Sequence, residues 1–171
     1  MAHRIRIRIR RRGRPAGFLA SAVAVGLILA AMHGSGPPGH ASAASRAPGK
    51  TAAAAIAYAR AQLGKPYLWG GTGPGAFDCS GLVMQAYASA GVRLARTSQA
   101  QWATERHVSS PQPGDLVFYP GADGTWTAPG HVALVIGGGQ MIEAYATGYP
   151  VRQVPIRPGM AGFTQPWGGA R

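Results

Sequence analysis

Residues 77–83 read FDCSGLV, and they place the only cysteine of the chain, Cys79, at the beginning of a predicted helix. Apolar residues from position 83 to position 90 follow the spacing of a helix. Asp78 is a typical N-cap and Gly91 a typical end. Free backbone N–H groups and the helix dipole favour negative charge here, and therefore the nucleophilic thiolate. Cys79 is thus a candidate nucleophile, since an inert cysteine is more typical of a helix interior.

The composition excludes several classes of protein. One cysteine in 171 residues rules out an intramolecular disulfide, a cysteine-based zinc cluster and a CxxC redox pair. Charged residues make up 13 % and hydrophobic residues 46 % of the chain, which argues against a wholly disordered polyelectrolyte. The length fits one domain with its own hydrophobic core.

The basic charge is concentrated at the N-terminus. Seven arginines lie between positions 4 and 14, an apolar stretch follows at 16–32, and small residues follow at 41–43 (ASA). This order predicts a secretory signal peptide over residues 1–43. The alternatives are an uncleaved membrane anchor, for which the apolar stretch is short, and a basic RNA-binding arm. Secretion is the favoured interpretation.

Cleavage after Ala43 would change the charge of the protein. Seven of the 17 basic residues would be removed, leaving ten against five acidic residues and a net charge of +5. That excess suits an anionic envelope polymer better than it indicates a nucleic-acid partner. A lipoprotein anchor is excluded because no cysteine lies near the cleavage site.

The remaining chain predicts a linker followed by an α+β domain. We expect a linker at 44–50, a catalytic domain at 51–167 and a short tail at 168–171. The predicted helices are one from residue 51 that Gly64 ends, the Cys79 helix, and a short one at Ser98–Thr104; the predicted strands are 115–119, 131–137, 140–146 and 151–156. Helices followed by an antiparallel meander indicate an α+β fold with a sheet of about five strands packed on helices.

Two further residues are candidates for catalysis because of the predicted hairpin of strands 131–137 and 140–146. With Gly137 to Gly139 as a three-residue loop, Ile136 faces Gln140, and His131 and Glu143 share one face at diagonal spacing. A loop one residue shorter would move Glu143 to the aliphatic face. Alone, either residue could simply be solvated. Together they suit a base for the thiol (His131) and a carboxylate that accepts the Nδ1–H of its imidazole (Glu143). A carboxylate that only orients the base does not fill the core, so replacing Glu143 should leave the stability of the protein nearly unchanged.

Five segments in order resemble the motifs of the NlpC-type cell-wall peptidases, which are papain-like cysteine peptidases acting on the peptide stems of bacterial peptidoglycan. They are 64–71 (GKPYLWGG), 77–83 (FDCSGLV), 96–99 (RTSQ), 113–118 (PGDLVF) and 130–137 (GHVALVIG).

The resemblance, over about residues 51–167, implies a role for each matching position. Cys79 matches the nucleophile, His131 the general base, and Glu143 the polar residue that orients it, a position where the family most often has His. Tyr67 matches a tyrosine that lines the substrate cleft. Asp78 and Ser80 match positions near the free amine of the substrate.

The implied activity is hydrolysis of a stem-peptide amide, usually between γ-D-glutamate and a diamino acid, by a monomer without cofactor. Two alternatives remain open: an N-acetylmuramoyl-L-alanine amidase or acyl transferase with the same site, and a catalytically silent wall-binding module. A metal hydrolase is disfavoured, because neither His107 nor His131 has a second histidine at metal-ligand spacing.

Overall fold

The computed structural model of the chain describes residues 48–167. The predicted signal peptide, most of the predicted linker and the predicted tail lie outside these residues. Within this range, no helix is long and apolar enough to cross a membrane.

Within residues 48–167, three helices precede all the strands: α1 (Pro48–Arg60), α2 (Cys79–Ser89) and α3 (Ser98–Thr104). Helix α1 begins three residues before the expected position, so the last part of the predicted linker belongs to it. Helices α2 and α3 lie where the sequence predicts them. Helix α2 packs against α1 and against the sheet, which holds its N-terminus, and with it Cys79, at a defined place.

In the part of the chain that the structure describes, six strands form one antiparallel sheet, which confirms the α+β class. They are β1 (Arg106–Val108), β2 (Leu116–Tyr119), β3 (His131–Gly137), β4 (Gln140–Glu143), β5 (Arg152–Pro155) and β6 (Gly162–Gln165), in the spatial order β1-β6-β2-β3-β4-β5. The four predicted strands form the meander β2-β3-β4-β5. Strands β1 and β6 were not expected, because each is only three or four residues long with little alternation. Since β6 returns to pair with β2, the whole sheet is not a meander.

The β3–β4 hairpin reaches the expected register by an unexpected route. Its loop has two residues, Gly138 and Gly139, and Gly137 pairs with Gln140, so the expected pairing of Ile136 with Gln140 is wrong. A bulge at Ile136 adds the residue that the loop lacks, and beyond it Leu134 faces Ile142 as expected. Residues 137–139 all have positive φ, which glycine adopts without strain.

The bulge decides which side chains face the helices. Four alternate residues of the hairpin, Val132, Leu134, Ile142 and Ala144, are buried in one core with side chains of α1 and α2. The intervening residues Ala133, Val135 and Met141 pack in a second cluster with Val117 and Tyr119 of β2. His131 and Glu143 belong to this second set by alternation, which places them on the same side of the hairpin.

Candidate active site

The N-terminus of α2 is built around Asp78. Its carboxylate accepts the Gly81 N–H at 2.6 Å, and its carbonyl accepts the Leu82 N–H at 3.0 Å. The first backbone N–H groups of the helix, those of Cys79 and Ser80, therefore lie at the open end. Gly81 has no side chain for a steric reason, since a Cβ there would lie 2.1 Å from the Gly71 carbonyl oxygen. The loop that precedes the helix thus packs directly onto its first turn.

The thiol of Cys79 lies beside the ring of His131. Cys79 Sγ is 3.9 Å from the carbonyl oxygen of Gly130, the residue that precedes His131 at the beginning of β3. His131 is only 6 % exposed. Burial lowers the pKa of His131, but the neighbouring Cys79 thiol and Glu143 carboxylate raise it by more, so its pKa lies above the ordinary value. The site therefore favours an imidazolium next to a sulfur nucleophile.

Glu143 binds the other side of the same ring. His131 Nε2 donates to Glu143 Oε2 at 2.9 Å, so the expected use of Nδ1 for this bond is wrong. Nδ1 is instead the nitrogen left for Cys79. The structure thus brings together all three predicted catalytic residues, from α2, β3 and β4.

Two arginines that the sequence analysis did not single out also bind Glu143, which is fully buried. Arg157 donates to both carboxylate oxygens at 2.8 and 2.9 Å, and Arg152 donates twice to Oε1 at 2.9 and 3.1 Å. Burial raises the pKa of Glu143, but the hydrogen bonds from His131 and Arg157 outweigh it and lower the pKa to about 2. Pairing the predicted strand at 151–156 with the predicted strand at 140–146 would have revealed one of these arginines, since Arg152 lies directly opposite Glu143.

Two pockets meet at Cys79. One, of about 340 Å³, is lined by Tyr67, His131 and Tyr145. The other, of about 310 Å³, lies along Asp78, Ser80 and Arg96, and both pockets share Trp69 and Asp123 with Cys79. Burial, with the nearby Cys79 and Asp78, raises the pKa of Tyr67, so its hydroxyl stays neutral. All three predicted substrate-binding residues, Tyr67, Asp78 and Ser80, therefore line the cleft.

The carboxylate of Asp78 already has several partners besides the helix cap. Arg96 forms a two-point ion pair with it at 2.5 and 3.1 Å, and the Gly70 N–H donates to it at 3.0 Å. The Ser80 hydroxyl contacts both Asp78 and Arg96. An amine of a substrate would therefore compete with Arg96 for this carboxylate. Among the described residues, no group of His, Cys, Asp or Glu is arranged to hold a metal ion.

Comparison with known proteins gives a family and a set of related structures. The sequence model described as the NlpC/P60 family matches residues 64–163. The probable endopeptidase p60 of Listeria monocytogenes is 47 % identical over 95 residues, which are 54 % of this chain and 19 % of that protein. This chain thus spans about a fifth of that relative.

Solved structures share the fold. The peptidoglycan hydrolase RipB of Mycobacterium tuberculosis is 36 % identical, with a TM-score of 0.60 over 69 % of this chain and 65 % of the other. The resuscitation promoting factor interacting protein RipA mutated at a glutamate is 32 % identical, with a TM-score of 0.61 over 70 % and 63 % of the two chains. RipA has also been solved with a mutated cysteine and a mutated histidine, the latter 12 positions before the glutamate. These similarities confirm the expected papain-like fold.

Proposed function

Because this chain belongs to the NlpC/P60 family of cell-wall peptidases, we propose that it is a secreted peptidoglycan endopeptidase that cleaves a stem-peptide amide through a thioester on Cys79. The observation that carries the proposal is the position of the His131 ring between Cys79 and Glu143. The His131 imidazole lies beside the Cys79 thiol and is bound at Nε2 by a buried carboxylate. The 12-residue separation of His131 and Glu143 equals that of the histidine and glutamate mutated in RipA, which supports the assignment.

In the first half of the reaction, the Cys79 thiolate attacks the carbonyl carbon of the scissile amide. The C=O π bond opens, and negative charge develops on the carbonyl oxygen. The backbone N–H of Cys79, at the open end of α2, is placed to stabilise that charge. The collapsing intermediate breaks the C–N bond while the Nδ1–H of the imidazolium protonates the departing amine, which leaves a thioester on Cys79 and a neutral imidazole.

In the second half, water hydrolyses the thioester. The neutral His131 takes a proton from the water as its oxygen attacks the thioester carbon. The C–S bond then breaks, releasing the carboxylic acid product and restoring the thiolate–imidazolium pair. Glu143 keeps its hydrogen bond to Nε2 throughout and therefore fixes the ring while the proton moves at Nδ1.

The proposed bond is the amide between γ-D-glutamate and a diamino acid, as the family resemblance implies. Pockets on either side of Cys79 give room for residues on both sides of a scissile bond. Trp69, 74 % exposed, forms a wall common to both pockets and offers an apolar face to a peptide backbone. A basic mature protein would favour acidic wall polymers.

Export would bring the enzyme to its substrate. We propose cleavage of the signal peptide after Ala43, which gives a mature protein that begins at Ala44. N-terminal sequencing of secreted protein tests this, and recovery of the full-length chain from membranes would contradict it.

Digestion of purified peptidoglycan, followed by mass spectrometry of the products, tests the activity, with Cys79→Ala as the matched control. We expect fragments with a new γ-D-glutamyl carboxylate and a new diamino-acid amine from the parent and none from the variant. Release of intact stems from the glycan would instead indicate the amidase. Binding to the wall without new fragments would indicate the silent module.

A further inference from the structure

The carboxylate of Glu143 is enclosed by positive and hydroxyl-bearing side chains from four segments. Tyr119 of β2, His131 of β3, Arg152 of β5 and Arg157 beyond β5 all face it, with Tyr145 next to both the ring and the arginines. Each carboxylate oxygen accepts at least two hydrogen bonds. A carboxylate that served only to orient one neutral imidazole would need a single acceptor oxygen. The hydrogen bonds from Arg152 and Arg157 go beyond that need.

Arg157 is the better fixed of the two arginines. The hydroxyl of Tyr119 accepts its backbone N–H at 3.0 Å and donates to its carbonyl oxygen at 3.2 Å. The guanidinium carbon lies 4.9 Å from the Tyr119 ring centroid, over the ring. Tyr119 also lies opposite His131 in the β2–β3 register. One tyrosine therefore positions Arg157 relative to the strand that carries the base.

Arg152 supports the same carboxylate from the neighbouring strand. It lies opposite Glu143 in the β4–β5 register, and its guanidinium lies over the rings of Tyr145 and Tyr149 at 4.9 and 4.6 Å from their centroids. All its contacts with Glu143 are to Oε1. Only Arg157 bridges Oε1 and the oxygen that accepts from His131, so the two arginines are not equivalent.

We propose that Arg157, assisted by Arg152, is a positioning residue of the cysteine peptidase site, which keeps Glu143 ionised and fixes the rotamer that presents Oε2 to His131. This assignment rests on the proposed function, in which His131 moves a proton at Nδ1.

The physical reason is that burial favours a protonated carboxyl group. A protonated Glu143 would stabilise the imidazolium far less than the carboxylate does. With both arginines present the carboxylate stays charged well into the acid range, and the planar guanidinium fork resists rotation of the carboxylate plane. A lysine at position 157 would restore the charge but not the two-point geometry.

The test uses the full chain, whose single cysteine makes alkylation by iodoacetamide specific for Cys79. The variants are Arg157→Met, which removes charge and geometry, and Arg157→Lys, which removes only the geometry. Arg93→Met is the matched control, because Arg93 is exposed and has no ion pair within residues 48–167. The measurements are the alkylation rate against pH, kcat and KM for stem-peptide hydrolysis, and the melting temperature.

For Arg157→Met we expect the acid limb of the alkylation profile to move up by about one pH unit, because Glu143 becomes protonated within the measured range. We expect kcat to fall about 10-fold with KM within about twofold. For Arg157→Lys the acid limb should return close to that of the parent, while kcat recovers only in part. Arg93→Met should match the parent in all respects.

A parental alkylation profile and a parental kcat in Arg157→Met would overturn the proposal, and so would equal losses in Arg157→Lys and Arg157→Met. If Arg157→Met fails to fold, Arg157→Lys decides: an unshifted acid limb with reduced kcat supports the positioning role, and a parental kcat overturns it. Alkylation needs no substrate. Its profile therefore tests the positioning role even if the parent hydrolyses no stem peptide, an outcome that would count against the proposed function alone.

Discussion

His131 Nε2 lies 2.9 Å from Glu143 Oε2, and this bond leaves Nδ1 of the ring for the Cys79 thiol. The two residues are brought together by one hairpin, whose bulge at Ile136 compensates for a loop of only two glycines. The orientation of the His131 ring therefore depends on the backbone geometry of this hairpin. Its two partners, the Cys79 thiol and the Glu143 carboxylate, can be replaced one at a time.

Replacement of Cys79 should abolish hydrolysis without unfolding the protein. Cys79→Ala exchanges one small side chain for another at the beginning of α2, so we expect cooperative thermal unfolding near the parental temperature. Cys79→Ser should also be nearly inactive, because a helix N-terminus makes a hydroxyl far less nucleophilic than it makes a thiol. Release of stem-peptide fragments is the measurement, and hydrolysis by Cys79→Ala would remove the cysteine-peptidase assignment.

Replacement of Glu143 should reduce both turnover and stability. The sequence alone predicts parental stability. Because Glu143 is fully buried and has two arginine partners, we now expect a loss instead. Glu143→Ala should lower kcat by roughly 10- to 10³-fold and stability by about 1–3 kcal/mol, less than a fully buried pair costs because both arginines reach solvent.

Glu143→Gln separates shape from charge at the same position. Both oxygens of Glu143 accept hydrogen bonds, so the amide nitrogen of Gln must face a donor in either orientation. We therefore expect Glu143→Gln to show a clear loss of turnover and a lower melting temperature than the parent. Kinetics and thermal melts of both variants check these expectations. Parental activity in Glu143→Ala would exclude Glu143 as the orienting residue.

The stability of the protein should fall in acid because of Glu143. Its pKa is lowered from 4.5 to about 2 on folding, so its contribution is fully present above pH 4.5 and is lost as the pH falls through 2. The shift corresponds to about 3 kcal/mol. Urea unfolding between pH 7 and pH 2 should show this loss in the parent, and a smaller one in Glu143→Gln. Identical pH dependence in the two proteins would contradict the assignment.

Ionisation of Glu105 should destabilise the folded protein, whereas ionisation of Glu143 stabilises it. Burial raises the pKa of Glu105 to about 7, so the folded state favours the protonated form, and a penalty develops as the pH rises from 4.5 through 7. Glu105→Gln should therefore stabilise the protein at pH 8 by on the order of 1 kcal/mol, a discounted figure because the side chain is partly exposed. At pH 4 it should change little. Chemical unfolding at both pH values measures the difference, and an equal gain at each would refute the cause.

Asp78 should prove important for stability. Asp78→Ala removes the α2 cap and the Arg96 ion pair, and we expect a loss of about 1–2 kcal/mol. Asp78→Asn keeps a capping oxygen and should lose less. Urea denaturation of the two variants, compared with Arg96→Met, separates the cap from the ion pair. Equal losses in Asp78→Ala and Asp78→Asn would show that the cap contributes nothing.

Local signals in the sequence were sufficient for much of this protein. The cap at Asp78, the helix that begins at Cys79, the four strands of the meander and the shared face of His131 and Glu143 all follow from residue preferences and from alternation, because each depends on neighbours along the chain or on one hairpin. The five motifs in order were sufficient to indicate the family.

Tertiary structure decided what depends on distant segments. The edge strand β1 and the returning strand β6 have too few residues for a periodic signal and form only by pairing with each other and with β2. The bulge at Ile136 depends on both faces of the hairpin being buried. Without it, a slip of one residue would move Ile142 to the side of His131 and Glu143 into the apolar core against the helices. The choice of Nε2 and the arginines on Glu143 arise where β2, β3, β4 and β5 converge, because a buried carboxylate must find its donors in space, wherever along the chain they lie.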